Sequence, residues 1–289
     1  MNHSLLSRFQ GSLFGSLIGP KIIPSEGSFF TWKTLSSTLI LKLLENGEIS
    51  QQDCQEIAGN IQDLKPGELI LGTLPLILFF HQEPSLFWQQ IDPLIYHGKI
   101  VPSTVEELRC GLEILRLIFS NNFQISEQVN LINHLAKISP PLNQSLNQIQ
   151  SYLAEGTPLT EVIKLFRQKT IEQPTIFPLS LYCFYRTPTD FRLSMTQAAQ
   201  TSNPTICALT GAFSGAYNSY SGIPRNWHLA LEQDQSLSLC YQQISRLWAM
   251  WAGVGNCALI EIALENLGIT STVDQQPHLS LKLISQKEY

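Results

Sequence analysis

The chain has 289 residues, of which 44% are hydrophobic and only 14% are charged. This composition predicts a globular protein with a sizeable core and excludes a largely disordered chain. The net charge of −5, with no block of lysines or arginines, excludes an electrostatic basis for binding nucleic acid or anionic lipid.

Cysteine and histidine spacing indicates neither a disulfide framework nor a zinc site. The six cysteines are far apart and form no Cys-x-x-Cys pair, and no two histidines have the spacing of paired ligands on one helix. We therefore expect reduced thiols in a cytoplasmic protein, with no metal and no other cofactor. The N-terminal apolar stretch is interrupted by Arg8 and Gln10, which predicts neither a secretion signal nor a membrane span.

Helical patterns dominate the first half of the chain. The first begins at Thr31 and ends at Gly47, with leucines on a helical period between them. Residues Leu69–Phe80 predict a buried helix with a proline kink, because twelve residues are too few for a membrane span. Ser103 and Glu106 have the spacing of a capping box at the start of the next helix.

The second half of the chain is also predicted to be helical. Thr157-Pro158 and Thr187-Pro188 each resemble an N-cap followed by proline at the first helical position. A long helical pattern covers 236–267, and only residues 278–284 alternate as a strand does. The sequence thus predicts one all-α domain over 1–289 with about a dozen helices and an irregular or strand-forming tail at 270–289.

Two series of glycines repeat at every fourth residue. They are Gly11, Gly15 and Gly19 near the N-terminus, and Gly211 and Gly215 further on. Each glycine weakens a helix by about 1 kcal/mol relative to alanine, so several on one face indicate backbones in close contact. Because the flanking residues are too polar for a membrane dimer, we expect close helix packing within one core.

The stretch from Leu179 to Glu232 carries a recognisable order of short motifs. It includes LSLYCFYRTPTDF, QTSNPTICALTGAFSGAY and GIPRNW. This order resembles the ADP-ribosylglycohydrolase family, all-helical enzymes that include the dinitrogenase-reductase-activating glycohydrolase. The opening RFQGSLFGSLIGPKII is similar to the family's Gly-x-x-x-Gly-x-x-x-Gly-Asp-Ala, and FTWKTLSSTLIL stands where the family has Thr-Asp-Asp-Thr. The segment between about 60 and 175 matches weakly.

The resemblance implies a site built on aspartates, which in the family hold two divalent cations. These cations position the ribose and activate water for cleavage of the glycosidic bond to ADP-ribose. In this chain the aspartate positions fall on Pro20, on Trp32 and Lys33, and on Ser202 and Pro204. The other motif positions compared with the family are Thr31, Thr34, Asn203 and Thr205, of which Thr31, Thr34 and Thr205 retain the family's threonine.

No carboxylate remains at any aspartate position that the resemblance assigns. Magnesium and manganese require hard oxygen ligands, usually with carboxylates that offset the charge of the ion. At these positions the chain has neutral groups and the ammonium of Lys33, which would repel a dication by several kcal/mol at about 4 Å. The sequence therefore predicts no metal site and no metal-dependent catalysis.

Each altered position also has an ordinary structural interpretation. Lys33 is either solvated or fills the vacated cation position, bound to Glu26, Glu45 or a threonine. Trp32 belongs either to the core or to a plug in the former cleft. Ser202 or Asn203 is expected to cap the following helix. Aromatic residues that might have lined an adenine pocket are more often core, namely Phe184, Tyr185, Tyr217 and Tyr220.

Three functions are compatible with this pattern. The first is a catalytically degenerate homologue that acts as a protein-binding or regulatory scaffold, with large aromatic side chains as candidate contacts for an unidentified protein partner. The second is a metal-free reader of ADP-ribose or another nucleotide that uses Lys33, Ser202, Asn203 and Thr205. The third is a residual hydrolase that uses carboxylates outside the motifs, namely Glu26, Glu45 or Glu68.

Overall fold

The structure is a computed structural model that describes residues 4–23, 29–119, 128–168, 175–232 and 235–253. Within these ranges the chain forms fifteen α-helices and no strand, which confirms the predicted all-α class. The helices are α1 (Leu5–Ile22), α2 (Phe29–Asn46), α3 (Gln51–Ile61), α4 (Pro66–Gly72), α5 (Leu74–Phe80), α6 (Pro84–His97), α7 (Pro102–Phe119), α8 (Gln128–Ile138), α9 (Pro140–Glu155), α10 (Leu159–Arg167), α11 (Ile176–Arg186), α12 (Phe191–Gln200), α13 (Pro204–Asn218), α14 (Arg225–Glu232) and α15 (Gln235–Trp251). A single 3₁₀ turn, Tyr220–Gly222, connects α13 to α14.

Several helices begin at side chains that satisfy their first backbone N–H groups. Ser50 and Asp53 form a capping box, in which Asp53 N–H donates to Ser50 Oγ (3.1 Å) and Ser50 N–H donates to Asp53 Oδ2 (3.0 Å). The other carboxylate oxygen, Asp53 Oδ1, is 2.6 Å from Lys42 Nζ. This pair joins the start of α3 to α2.

Helix boundaries differ from the sequence prediction at three starts. Helix α7 begins at Pro102, one residue before the predicted cap Ser103, because proline has the backbone angle of a first helical residue. Pro158 is the N-cap of α10 and not its first residue. Helix α12 begins after Asp190, whose carboxylate accepts the Leu193 N–H (2.9 Å) and replaces the predicted cap Thr187.

Three longer predictions are confirmed in part. The helix predicted from Thr31 to Gly47 is α2, and Gly47 has the positive φ of a helix-ending glycine (75°). The buried segment Leu69–Phe80 is divided at Thr73 into α4 and α5. The last predicted helix is present as α15 up to Trp251. The tail at 270–289 lies outside the described residues, and the single domain over 1–289 stays a prediction.

Buried apolar side chains from nearly all described helices form one core cluster. Helices α4 and α5 lie at its centre, and every residue of α5 is buried. The helices that pack against this pair are α2, α6, α7, α11, α13 and α15. No helix in the described part of the chain combines the length and the apolar character that crossing a bilayer requires.

Helices α1 and α13 cross at the two glycine series. A Cβ added to Gly15 would approach the carbonyl of Gly211, and a Cβ added to Gly215 would approach the carbonyl of Gly11. Both approaches would be closer than 3.0 Å, a distance that real Cβ atoms essentially never show. The two backbones are therefore in direct contact, as the spacing of the glycines predicts.

Arg8, in the first turn of α1, holds the C-terminal ends of α7 and α13. Its Nε donates to the carbonyl of Ala216 in the last turn of α13 (3.2 Å), and its Nη1 donates to the carbonyl of Phe119, the last residue of α7 (3.4 Å). Burial lowers the pKa of this guanidinium to about 10, which leaves it charged at neutral pH. A cation at two helix C-termini offsets their partial negative charge.

Replacing Gly211 by alanine should destabilise the protein strongly. The added methyl group meets the backbone of Gly15, which cannot move as the end of a side chain can, so we expect a loss of about 3 kcal/mol in the free energy of unfolding. Chemical denaturation measures this change in the free energy of unfolding. The matched control is Gly59→Ala, at an exposed position of α3 where a Cβ meets nothing within 4 Å. Alanine there should stabilise the protein by about 1 kcal/mol. Equal stabilities of the two variants would contradict the assigned packing.

Candidate functional site

The last turn of α1 lies against the first turn of α13. A Cβ added to Gly19 would meet the backbone of Cys207 and Ala208 within 3.0 Å. Pro20 follows Gly19 in the same helix, and Pro204 opens α13. Pro20 and Pro204, from the first and the last of the three motifs, therefore lie on neighbouring turns of α1 and α13.

Helix α4 connects the remaining motif to this place. A Cβ added to Gly67, at the start of α4, would lie 2.8 Å from Thr205 Cγ2, and a Cβ added to Gly72, at its end, would meet Leu35 Cδ2 at 2.6 Å. Leu35 stands one residue after the motif that ends at Thr34. The candidate site is accordingly defined by the last turn of α1 and the first turns of α2, α4 and α13.

The loop before α13 satisfies its own polar groups. Asn203 is the N-cap, and its amide oxygen accepts the N–H groups of Thr205 (2.9 Å) and Ile206 (3.1 Å). Thr201 Oγ1 donates to Ala198 O (2.6 Å) and accepts the Asn203 N–H (3.3 Å). Ser202 is exposed, with a φ of 55°, and is not the cap. The capping interpretation is thus confirmed for Asn203.

The first turn of α2 places its side chains in different surroundings. Trp32 is 4% exposed and belongs to the hydrophobic core, whereas Lys33 is partly exposed and Thr34 is exposed. A buried indole ring cannot serve as a ligand for a metal ion. The side chains of Pro20 and Thr31 lie outside what the structure describes.

Comparison with known proteins assigns the chain to a family. A profile of the ADP-ribosylglycohydrolase family matches residues 40–256. The chain belongs to the ADP-ribosylglycohydrolase family. A solved structure titled "ADP-ribosylglycohydrolase-related protein complex" is similar in fold, with a TM-score of 0.53 and 15% identity over 85% of this chain and 97% of that chain. No curated protein matches the sequence.

The matched range includes one of the three motifs and not the other two. It includes the loop at 202–205, which therefore has a counterpart in the family profile. It begins after the positions of Pro20 and Thr31–Thr34, whose comparison with the family depends on the motif resemblance. Helices α1 and α13 are in direct contact, and α2 reaches them through α4, which packs against both α2 and α13.

The donor set at the candidate site does not fit the dications that the family uses. Among the described residues no three histidine, cysteine or acidic side chains are grouped so that they could hold a metal ion. The Asn203 oxygen already accepts two backbone N–H groups, and proline offers no side-chain ligand. The remaining hydroxyls of Ser202 and Thr205 bring no negative charge to a site that needs it.

The carboxylates considered as substitutes lie in different places. Glu45 follows Lys33 by twelve residues on α2, about 18 Å along the helix axis, and it is exposed, so it neither pairs with Lys33 nor reaches the site. Glu68 is 5% exposed beside Gly67, and its Oε2 accepts the Lys65 N–H (3.0 Å) at the start of α4. Glu26 lies outside the described residues. Of the described pair, only Glu68 is near the candidate site.

The aromatic side chains suggested for an adenine pocket lie elsewhere. Tyr217 is fourteen residues beyond Asn203 on α13 and so about 20 Å away along its axis. Phe184 is buried and packs against the rings of Phe213 and Tyr217. Tyr220 lies next to Phe14 and His228. These rings belong to the packing at the other end of α13.

One buried carboxyl group was missed by the sequence analysis. Glu107 is 8% exposed on α7, a helix that packs against both α4 and α13, and it lies one turn before Gly111, which faces Ile70. Burial raises its pKa to about 7, and its carboxyl group has no hydrogen bond or ion pair within the described part of the chain. The signal was present, because Glu107 and Gly111 share the helical face that continues to Leu115 and Ile118.

Replacing Glu107 by glutamine should remove a pH dependence of stability. The pKa of Glu107 is about 7 in the folded protein and 4.5 for a carboxyl group in the unfolded chain. The stability of the wild type is therefore unaffected below pH 4.5 and falls as the pH rises to 7. The full loss, about 3 kcal/mol, is present above pH 7. We therefore expect the glutamine variant to be more stable than the wild type at pH 8 by up to this amount.

Chemical denaturation from pH 4.5 to 8 measures the difference in the free energy of unfolding between the wild type and Glu107→Gln. The control is Glu48→Gln, at an exposed residue between α2 and α3, which should change stability by less than about 0.5 kcal/mol throughout. A constant difference between wild type and Glu107→Gln across this range would show that Glu107 titrates normally.

Proposed function

We propose that this chain is a catalytically inactive member of the ADP-ribosylglycohydrolase family that acts by binding another protein. The observation that carries the proposal is the state of the former ligand positions. Trp32 is buried in the core and Asn203 is committed to capping α13, while Ser202 and Pro204 stand at two aspartate positions. Such side chains leave a pair of dications without charge compensation.

Electrostatics supports the same conclusion. The ammonium of Lys33 occupies one aspartate position, and a cation in place of an anion reverses the sign of its interaction with a metal ion. The nearest described carboxylate, Glu68, caps the first turn of α4. One carboxylate near the site does not replace the several that a dinuclear centre requires.

The surface offers apolar contacts suited to a protein partner. Tyr96 is 79% exposed at the end of α6, and Val101 is 56% exposed just before α7. Tyrosine is enriched among the residues that contribute most to binding in protein interfaces. Of the larger aromatic residues considered as contacts, Phe87 and Trp251 are buried, whereas Trp88, Trp227 and Trp248 are partly buried in the core. We therefore place the interaction surface at the connection between α6 and α7.

The purified protein should not hydrolyse ADP-ribosyl bonds. With ADP-ribosyl-arginine, ADP-ribosyl-serine and O-acetyl-ADP-ribose as substrates, we expect no turnover above background in magnesium or manganese, because water cannot be activated without a bound dication. Electron paramagnetic resonance of added Mn²⁺ should show only the free ion. An active member of the family serves as the positive control. Turnover that disappears with a chelator would refute the proposal.

Affinity capture from the native cell tests the positive part of the proposal. The wild-type protein should retain a specific partner, and Tyr96→Ser should reduce the retained amount at least about tenfold, as expected when a central interface tyrosine is lost. Leu193→Ser on α12, where the leucine is 49% exposed, is the matched control and should retain the partner. Failure to retain any partner would contradict a binding role. Equal retention by all three proteins would exclude the Tyr96 surface.

A further inference from the structure

Asn46 and Gly47, at the end of α2, form the only Asn-Gly dipeptide in the sequence. Asn46 is the last residue of the helix and is exposed, while Gly47 is partly exposed and has a φ of 75°. In such a dipeptide the backbone nitrogen of the glycine can attack the side-chain amide carbon of the asparagine, because glycine has no side chain that would hinder the approach. The dipeptide is therefore a candidate for spontaneous chemical modification.

The reaction at this dipeptide is deamidation. Hydroxide removes the proton of the Gly47 N–H, the nitrogen forms a bond to Cγ of Asn46, and the amide nitrogen of Asn46 leaves as ammonia. Water then opens the resulting five-membered succinimide ring at either of its two carbonyl groups, which gives aspartate or isoaspartate. Hydroxide and water are the only co-reactants, so the reaction requires neither an enzyme nor an oxidant.

The last turn of α2 restrains this reaction in the folded protein. The Gly47 N–H donates to the carbonyl of Leu43 (2.8 Å), so the attacking nitrogen is already engaged in a hydrogen bond. In a helix the Cα–Cβ bond is tilted toward the N-terminus, which directs the amide of Asn46 away from the nitrogen that follows it. The last turn must therefore open before the nitrogen of Gly47 can reach Cγ of Asn46.

Two further contacts hold the connection between α2 and α3 in place. The Ile49 N–H donates to Oε1 of Gln90 on α6 (2.5 Å), and Nζ of Lys42 lies 2.6 Å from Oδ1 of Asp53. The first contact is only two residues beyond Gly47. Helix ends open locally at a lower free energy than the whole fold unfolds, and contacts of this kind raise the free energy of that opening.

We propose that Asn46 is the site at which the folded protein deamidates and that opening of the last turn of α2 limits the rate. The new carboxylate lies between Glu45 and Glu48 in the sequence, at the C-terminal end of a helix, where a negative charge is unfavourable. Because the amide is lost as ammonia, each reacted chain keeps a weakened last turn. The modification is separate from the candidate site, so its test is independent of the proposed scaffold function.

Peptide mapping of the full-length protein by mass spectrometry at pH 8 tests the proposal. Aspartate and isoaspartate should form at Asn46 about tenfold to a hundredfold more slowly in the folded protein than in guanidinium chloride, the factor that one or two net hydrogen bonds contribute. Asn60, exposed near the end of α3 and followed by Ile61, is the matched control and should stay unmodified in the folded protein. This comparison requires no variant and so does not depend on the folding of a mutant.

The variant Gln90→Met removes the acceptor of the Ile49 N–H. It should accelerate modification of Asn46 in the folded protein at least about threefold, whereas Gln89→Met, at the exposed neighbouring residue, should leave the rate unchanged. An unchanged rate in a folded Gln90→Met protein would overturn the assigned opening.

The wild type alone can also contradict the proposal. Equal rates at Asn46 in the folded and the unfolded protein would show that the last turn of α2 does not limit the reaction. Modification of Asn60 as fast as Asn46 in the folded protein would overturn the assignment of the site. An Asn46 that stays unmodified in the folded protein over about ten half-lives of the unfolded reaction would overturn it too.

Discussion

The direct contact between the backbones of α1 and α13 is the constraint on which the rest of the architecture depends. Glycine is required at the crossing because any Cβ at Gly15 or Gly211 would enter the other backbone. The crossing fixes both ends of the helix pair. At one end Gly19 holds the last turn of α1 against the start of α13, and at the other end Arg8 of α1 donates to Ala216.

In this arrangement the packing of the helices does not depend on a metal ion at the candidate site. The crossing, the packing of Gly67 against Thr205 and the cap at Asn203 are all satisfied without a metal ion. In a metal-dependent homologue the same turns must also hold aspartates close together, a repulsive arrangement that only the ions make favourable. In the function that we propose, tryptophan, lysine and proline stand at positions that the motif resemblance assigns to aspartates, and the helices pack without that repulsion. Family membership therefore supports the fold and not the reaction.

Features that depend on nearby residues were predictable from the sequence, and features that depend on tertiary contacts were not. The glycine spacing predicted the α1 and α13 contact, and the order of Asn203 and Pro204 predicted the cap of α13. The start of α12 was misplaced because the N-cap is Asp190, three residues after Thr187, whose carboxylate accepts the Leu193 N–H. The proline kink predicted within Leu69–Phe80 corresponds to the break at Thr73, because Pro75 stands in the first turn of α5. The apolar stripe on α7 indicated that Glu107 is buried, but nothing local showed that it lacks a partner.

Two buried ionisable groups, Glu107 and His81, are stabilised in their neutral forms by the protein interior. Burial raises the pKa of Glu107 and lowers that of His81, so both groups move toward their neutral forms. Next to a bound dication, a carboxyl group would show the opposite shift, because the ion stabilises the carboxylate. Arg8 donates to two helix C-termini and remains charged at neutral pH. The described interior thus accommodates the Arg8 cation where carbonyl groups face it and disfavours an unpaired anion at Glu107.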